Sequence, residues 1–287
     1  MAIRSQSFQR FRKRITAFNV AAALFTVFFV IFFVFPLYWQ VATSLKTREN
    51  TLRIPPQLIP NPVNLDRYVW VFKNTGFPLN VRNSLITAGL TTITCVLIST
   101  LASYALARLK LRGSRAIMMS VLICSMLPAV AIVGPLYLTF RRFHLLNSFT
   151  GLIISYTAFF LPFTMWFLTS FFKTIPPGLE EAAAVDGCSP CQTLFRIIIP
   201  ISMPAIFTVG MMVFIFSWNE FLFAFTFTSI DSVRTYPVGL VMFQGQWEVP
   251  WAELCAASTI VVIPIIILVL AAQRFIIRGL TAGAVKE

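Results

Sequence analysis

Six stretches of this chain are long and apolar enough to cross a lipid bilayer, and that property limits the fold more than any motif does. A spanning helix needs about 20 mostly apolar residues. The stretches run over 17–44, 83–108, 115–140, 147–173, 200–227 and 252–277. Backbone polar groups inside lipid must be satisfied within their own segment, so each stretch is read as a helix and the chain as an all-α, integral membrane protein with six transmembrane helices. With 57% of its 287 residues hydrophobic and only 11% charged, an ordinary soluble domain is excluded. The first stretch follows the basic run RFRKR, as a signal peptide would. Its apolar part, Ile15 to Tyr38, is too long for a signal-peptide core and predicts an uncleaved anchor.

The net charge of +13 raises the question of nucleic acid. Position answers it. With both termini in the cytoplasm, fourteen of the 23 Lys and Arg fall on the cytoplasmic side, four of them in the short RLKLRGSR turn. That follows the positive-inside rule, so the basic balance reads as topology, with membrane lipid and not nucleic acid as the partner. The organisation that follows is a short cytoplasmic segment, 1–16, a six-helix domain, 17–277, and a cytoplasmic tail, 278–287.

Most chemistry is removed by subtraction. One histidine, His144, leaves no Ser-His-Asp or Cys-His arrangement, and H-E-x-x-H is absent. Cys188 and Cys191 form a C-x-x-C without a second pair or a nearby histidine, so no metal site is predicted. No lysine follows a glycine, so the chain has no P-loop and no nucleotide site of that kind. No catalytic residue and no cofactor of its own are expected.

One polar interruption stands out: PPGLEEAAAVDGCSPCQTLFRIIIP, from Pro176 to Pro200. Proline near its start and Glu180 and Glu181 in the first turn suit a helix N-terminus. Gly187 offers a left-handed stop. Ser189, Pro190 and Gln192 then spell a capping box that restarts a helix. The segment predicts a short helix, a corner and a second helix, on the cytoplasmic side. Ala182, Ala183 and Gly187 would supply a small-residue docking face, with Glu181 beside it available to a basic partner.

The same segment carries a resemblance. EAAAVDG, with Pro200 thirteen residues after Gly187, resembles the EAA loop of membrane subunits of bacterial ATP-binding-cassette importers. FPLYWQVATSLK, NSLITAG, SWNEFLFA and RFIIRGLTAGAVKE extend the similarity over nearly the whole chain, toward the carbohydrate-uptake permeases. The resemblance implies a cytoplasmic coupling helix between the fourth and fifth spans, within a loop of about 174–196, that seats in an ATPase subunit through Glu181, Ala182, Ala183, Asp186 and Gly187. It also implies the partners: a homologous second permease, two copies of a cytoplasmic ATPase that bind ATP and Mg, and an extracytoplasmic sugar-binding protein. The setting would be the bacterial inner membrane.

Two further groups are candidates for handling sugar. Trp218, Asn219 and Glu220 fall within the predicted fifth span, where an acid is a functional candidate by default. Trp218 would offer a stacking face and Glu220 an acceptor for sugar hydroxyls, or Glu220 is a structural acid bonded within the bundle. Gln244, Gly245, Gln246 and Trp247 combine amides, a flexible glycine and an aromatic face on the outer side. The resemblance implies a loop that contacts the binding protein there; an interfacial aromatic belt is the alternative. A rival reading of the whole chain is a self-sufficient secondary transporter or channel. A single clear intramembrane acid and the lack of a visible internal repeat weigh against it.

Overall fold

The computed structural model describes residues 2–109, 111–243 and 249–282, excepting the side chains of 2–17, 272 and 274–282. All regular structure among the described residues is helical. In chain order the elements are α1 (Ala2–Ser44), α2 (Arg48–Thr51), α3 (Asp66–Asn74), α4 (Phe77–Arg108), α5 (Ser114–Ser125), α6 (Ala129–Arg142), α7 (Phe149–Phe172) and α8 (Gly178–Val185). There follow α9 (Pro190–Thr193), a π-helical turn (Leu194–Ile198), α10 (Ile199–Trp218), α11 (Leu222–Phe227), α12 (Tyr236–Val241) and α13 (Trp251–Ala282). They form two compact units, residues 1–71 with 249–259, and residues 72–248 with 260–287.

In the first unit, α1 is exposed at every position from Phe18 to Tyr38. Its phenylalanines stack on one another along the helix, Phe25 on Phe29 at 4.4 Å between ring centres. At the end of α1 the chain turns polar and is tied down. Ser44 Oγ and Tyr68 OH lie 2.7 Å apart, and Arg67 Nη1 donates to Glu253 Oε1 at 2.9 Å. Lys46 is fully buried with its ammonium 3.9 Å from the centre of the Trp39 ring. Burial pushes the Lys46 ammonium below the usual lysine range, and the neighbouring Cys255 opposes that shift.

The second unit is built around α4, α7 and α10. The inward stripe of α4 reads Asn80, Asn83, Ser84, Thr87, Ala88, Thr91, Cys95, Ser99 and Ser103, while Leu85, Leu90, Ile93, Leu97 and Leu101 are exposed. That inversion is what a membrane asks for: lipid accepts the apolar face, and small residues let helices approach closely. Hydroxyls then bond across the contact. Thr94 and Thr157 meet at 2.9 Å, and Ser103 Oγ donates to the Met165 carbonyl at 3.0 Å. Gly210 of α10 leaves room for Val96 of α4, whose Cγ2 would lie 3.3 Å from an added Cβ.

Two of the six predicted spans differ from the structure. The stretch 115–140 is not one helix: α5 and α6 meet at a bend of 93°. Pro128 caps α6 and has no N–H to continue the ladder from α5, and a residue before proline is steered away from helical geometry. At 1.5 Å per residue the two pieces are only about 18 and 21 Å long. Five described helices are therefore long and apolar enough to cross a membrane, or six if the bent pair counts as one. The predicted fifth span, 200–227, ends early, at Trp218.

Candidate functional site

The polar interruption forms the predicted helix, corner and helix. α8 starts after Pro177, with Glu180 and Glu181 in its first turn. At its other end Gly187 has φ of 80°, a left-handed geometry that glycine adopts without steric cost. The Cys188 N–H donates to the Ala183 carbonyl at 2.9 Å and the Gly187 N–H to the Ala184 carbonyl at 3.1 Å, the two bonds of a Schellman stop. One residue later Ser189 caps α9 in a complete capping box: Gln192 N–H donates to Ser189 Oγ at 3.3 Å, and Ser189 N–H to Gln192 Oε1 at 2.8 Å. A helix of eight residues is marginal alone, so these ties at its C-terminal corner matter.

Most of α8 is exposed, and only Ala183 is buried, with Glu180 half-buried. Glu181, Ala182, Val185 and Asp186, at helical spacing, are exposed, and so is Gly187. Ala183 is buried in the chain's own packing, which corrects the expected docking face. Ala182 is exposed while Ala183 is covered by the chain, so the two do not form one open docking surface. Val185 takes the place of Ala183 on the outer face; it is 87% exposed, the most exposed apolar side chain of the segment. Its signal was present in the sequence as the residue four after Glu181, masked by an alanine run that carries no phase.

Glu180 turns the other way. Its Oε1 lies 3.5 Å from Arg108 Nε at the end of α4, and Arg108 also donates to the carbonyls of Phe172, at 2.6 Å, and Ile175. The paired acids therefore have different partners, Glu180 its own chain and Glu181 solvent.

The trio at the end of α10 is a break between helices, not the middle of one. Asn219 follows the last helical residue and donates from Nδ2 to the Ile215 carbonyl at 2.8 Å. The Glu220 carboxylate accepts from the N–H groups of Phe223, at 2.9 Å, and Ala224, at 3.2 Å, which satisfies two of the donors that open α11. Tyr156, buried beside Glu220, interacts with it electrostatically without an aligned hydrogen bond. Trp218 is 1% exposed and lies against Phe214 and Tyr236, with ring centres 5.8 and 4.9 Å away. Its faces are occupied, so it does not offer the stacking platform expected of it. Tyr236 OH donates to Asn219 Oδ1 at 2.8 Å, and burial pushes that hydroxyl up to about 12, so it stays a donor at physiological pH. Gln244, Gly245, Gln246 and Trp247 lie outside the described residues.

This geometry makes Glu220 a cap. Glu220→Gln keeps an acceptor for one of the two N–H groups, so it is expected to lower the stability of the folded chain by about 1 kcal/mol, with transport nearly unchanged. Thermal unfolding in detergent beside an uptake assay checks this. Loss of uptake in a normally folded variant would return the charge to the pathway.

The described chain is all-helical, with five or six candidate membrane spans and a capped helix between two of them, and comparison with known proteins gives its family. Residues 95–282 match the family described as binding-protein-dependent transport system inner membrane component. The chain belongs to that family. It is 40% identical over 263 residues to the trehalose/maltose transport system permease protein MalG of Thermococcus litoralis, covering 91% of this chain and 94% of that protein. It is 39% identical to the sulfoquinovosyl glycerol transport system permease protein SmoH of Agrobacterium fabrum, covering 88% of each. It is 37% identical to the trehalose transport system permease protein SugB of Mycobacterium tuberculosis, covering 88% and 92%. The fold is shared with a chain of a bacterial transporter that imports alginate, with a TM-score of 0.80 at 21% identity over 90% of this chain and 96% of that one.

Proposed function

We propose that this chain is one of two permease subunits of an ATP-driven sugar importer. It forms half of the pathway, takes sugar released by an extracytoplasmic binding protein, and is moved by ATPases that bind ATP and Mg on the cytoplasmic side. The chain has no G-K-[ST] sequence, so the nucleotide belongs to a partner. Relatives of 37–40% identity that carry trehalose, maltose and a sulfosugar glycoside in their names support a sugar as the cargo.

The observation that carries the coupling role is the exposed face of α8: Glu181, Ala182, Val185 and Asp186 uncovered on a helix held at both ends by the same chain. A small helix with an apolar centre and an acidic rim suits a groove with a basic rim. Gly187 and the capping box keep the helix at a fixed angle to α10, so force applied to it is passed on rather than absorbed by a slack loop.

Orientation is tested by labelling. With the native cysteines replaced, a cysteine at Glu181 is expected to react with an impermeant thiol reagent only from the cytoplasmic side and to cross-link to a co-expressed ATPase. A cysteine at Gln246 is expected to react only from outside. Reaction of both from one side would overturn the reading.

A further inference from the structure

Arg108 is the last residue of α4, and its guanidinium reaches two other segments at once. One nitrogen, Nη2, donates to the carbonyls of Phe172 and Ile175 at the end of α7, where the partial negative charge of a helix terminus favours a cation. The Nε faces Glu180 of α8 at 3.5 Å. Arginine is suited to this, because its planar fork presents donors in several directions while a lysine is a single point.

Arg108 Nε and Glu180 Oε1 are both sealed from solvent and have no other partner, and their alignment is too poor for a hydrogen bond. Arg108 keeps its bonds to the Phe172 and Ile175 carbonyls whether or not Glu180 is charged, and the Glu180 side chain is partly exposed, so losing the Glu180 charge removes the tie between α4 and α8 without freeing the guanidinium. Among the described residues this is the one ion pair that α8 makes.

Chain connectivity gives the pair its meaning. α8 is joined to α7 by residues 173–177 and to α10 by the corner at 186–189, α9 and the π-helical turn, so both helices are linked to it through the chain. α4 has no covalent link of that kind: it meets α7 through contacts such as Thr94–Thr157 and Ser103–Met165, and it meets α8 through Arg108. We infer that the Arg108–Glu180 pair is a direct strut between α8 and α4, acting beside the packing of α4 on α7 and α10, which makes both residues positioning residues for ATP-driven movement. Glu181 would then face the ATPase and Glu180 the transmembrane helices, two consecutive acids with separate tasks. This rests on the coupling role proposed above for α8.

The test reads movement of α4 without needing to know the sugar. In the full complex with its native cysteines replaced, Thr100→Cys places a reporter on the inward stripe of α4. Its hydroxyl is buried without a hydrogen-bond partner, so little is lost by the change. ATP with a trapping inhibitor is expected to change the rate at which this cysteine reacts with a methanethiosulfonate reagent. Glu180→Gln, which keeps shape and removes charge, is expected to reduce that ATP-dependent change by at least about twofold, while the ATPase still co-purifies. Glu180→Asp is expected to restore part of it, and Arg108→Lys to fail like Glu180→Gln. A Glu180→Gln complex that keeps the full ATP-dependent change overturns the strut. Absence of the change in the unmodified complex would instead overturn the coupling role of the chain itself.

Discussion

Gly187→Asp is expected to leave the chain inserted and folded while reducing recovery of the ATPase with it by at least about tenfold, equivalent to about 1.4 kcal/mol of binding. The argument rests on how little the substitution disturbs the chain itself. An added Cβ at Gly187 meets nothing within 4 Å, and the residue is exposed. The remaining intramolecular cost is the left-handed backbone, φ 80°, worth about 1–2 kcal/mol for a residue with a side chain and least for aspartate or asparagine. What changes is the surface beside Glu181, Ala182 and Asp186, which gains bulk and a negative charge. Gly187→Asn is the control: it keeps the size and tolerates the same backbone, and it should retain most of the assembly if charge is what repels. Co-purification of the ATPase with each variant, beside unfolding of the isolated chain, separates the two effects. Full assembly with Gly187→Asp would remove the docking role from this corner.

Asn83→Ala is expected to be among the most destabilising single changes in the second unit. Asn83 is fully buried, and its Nδ2 donates to the carbonyls of Ser232 and Arg234, each at 3.0 Å, with that of Asp231 at 3.4 Å. One amide thus holds the turn between α11 and α12 onto α4. The neighbouring Ser84 Oγ accepts the Tyr236 N–H at 2.8 Å, and Gly239 packs so close to Asn80 that an added Cβ would fall 2.2 Å from its Nδ2. Removing the Asn83 amide strips the turn of its donor to three part-buried carbonyls and empties a fully buried position, so a loss of about 1–3 kcal/mol is expected. Asn83→Asp should be worse, because it sets an acceptor against three others. Thermal unfolding in detergent measures both. An unchanged midpoint for Asn83→Asp would contradict the assignment of this turn.

Much of this arrangement is legible in residue order, for reasons that differ from place to place. The helix–corner–helix at 178–193 depends on local chemistry: Gly187 in a left-handed geometry and the Ser189–Gln192 box act over a few residues, so their signals survive without tertiary information. The long spans are legible because lipid imposes length and composition. The break at Pro128 is harder to see, since proline is tolerated inside membrane helices and does not by itself announce a 93° bend. Trp218, Asn219 and Glu220 misled for a related reason. Apolar residues on both sides made 200–227 look continuous, while the stop depends on side chains bonding back to Ile215 and forward to Phe223 and Ala224. The partners of Glu180 and Asn83 lie far away in sequence, on α4 and on the turn before α12, and no local pattern records them.

The central claim is that this chain moves sugar only as part of a complex that another subunit powers. Its most direct test is uptake of a radiolabelled sugar retained by its binding protein into vesicles containing this chain, its second permease and the ATPase, with the binding protein outside and ATP within. Uptake that requires all four proteins and ATP is the expected result. Uptake by this chain alone, without the ATPase, would contradict the account.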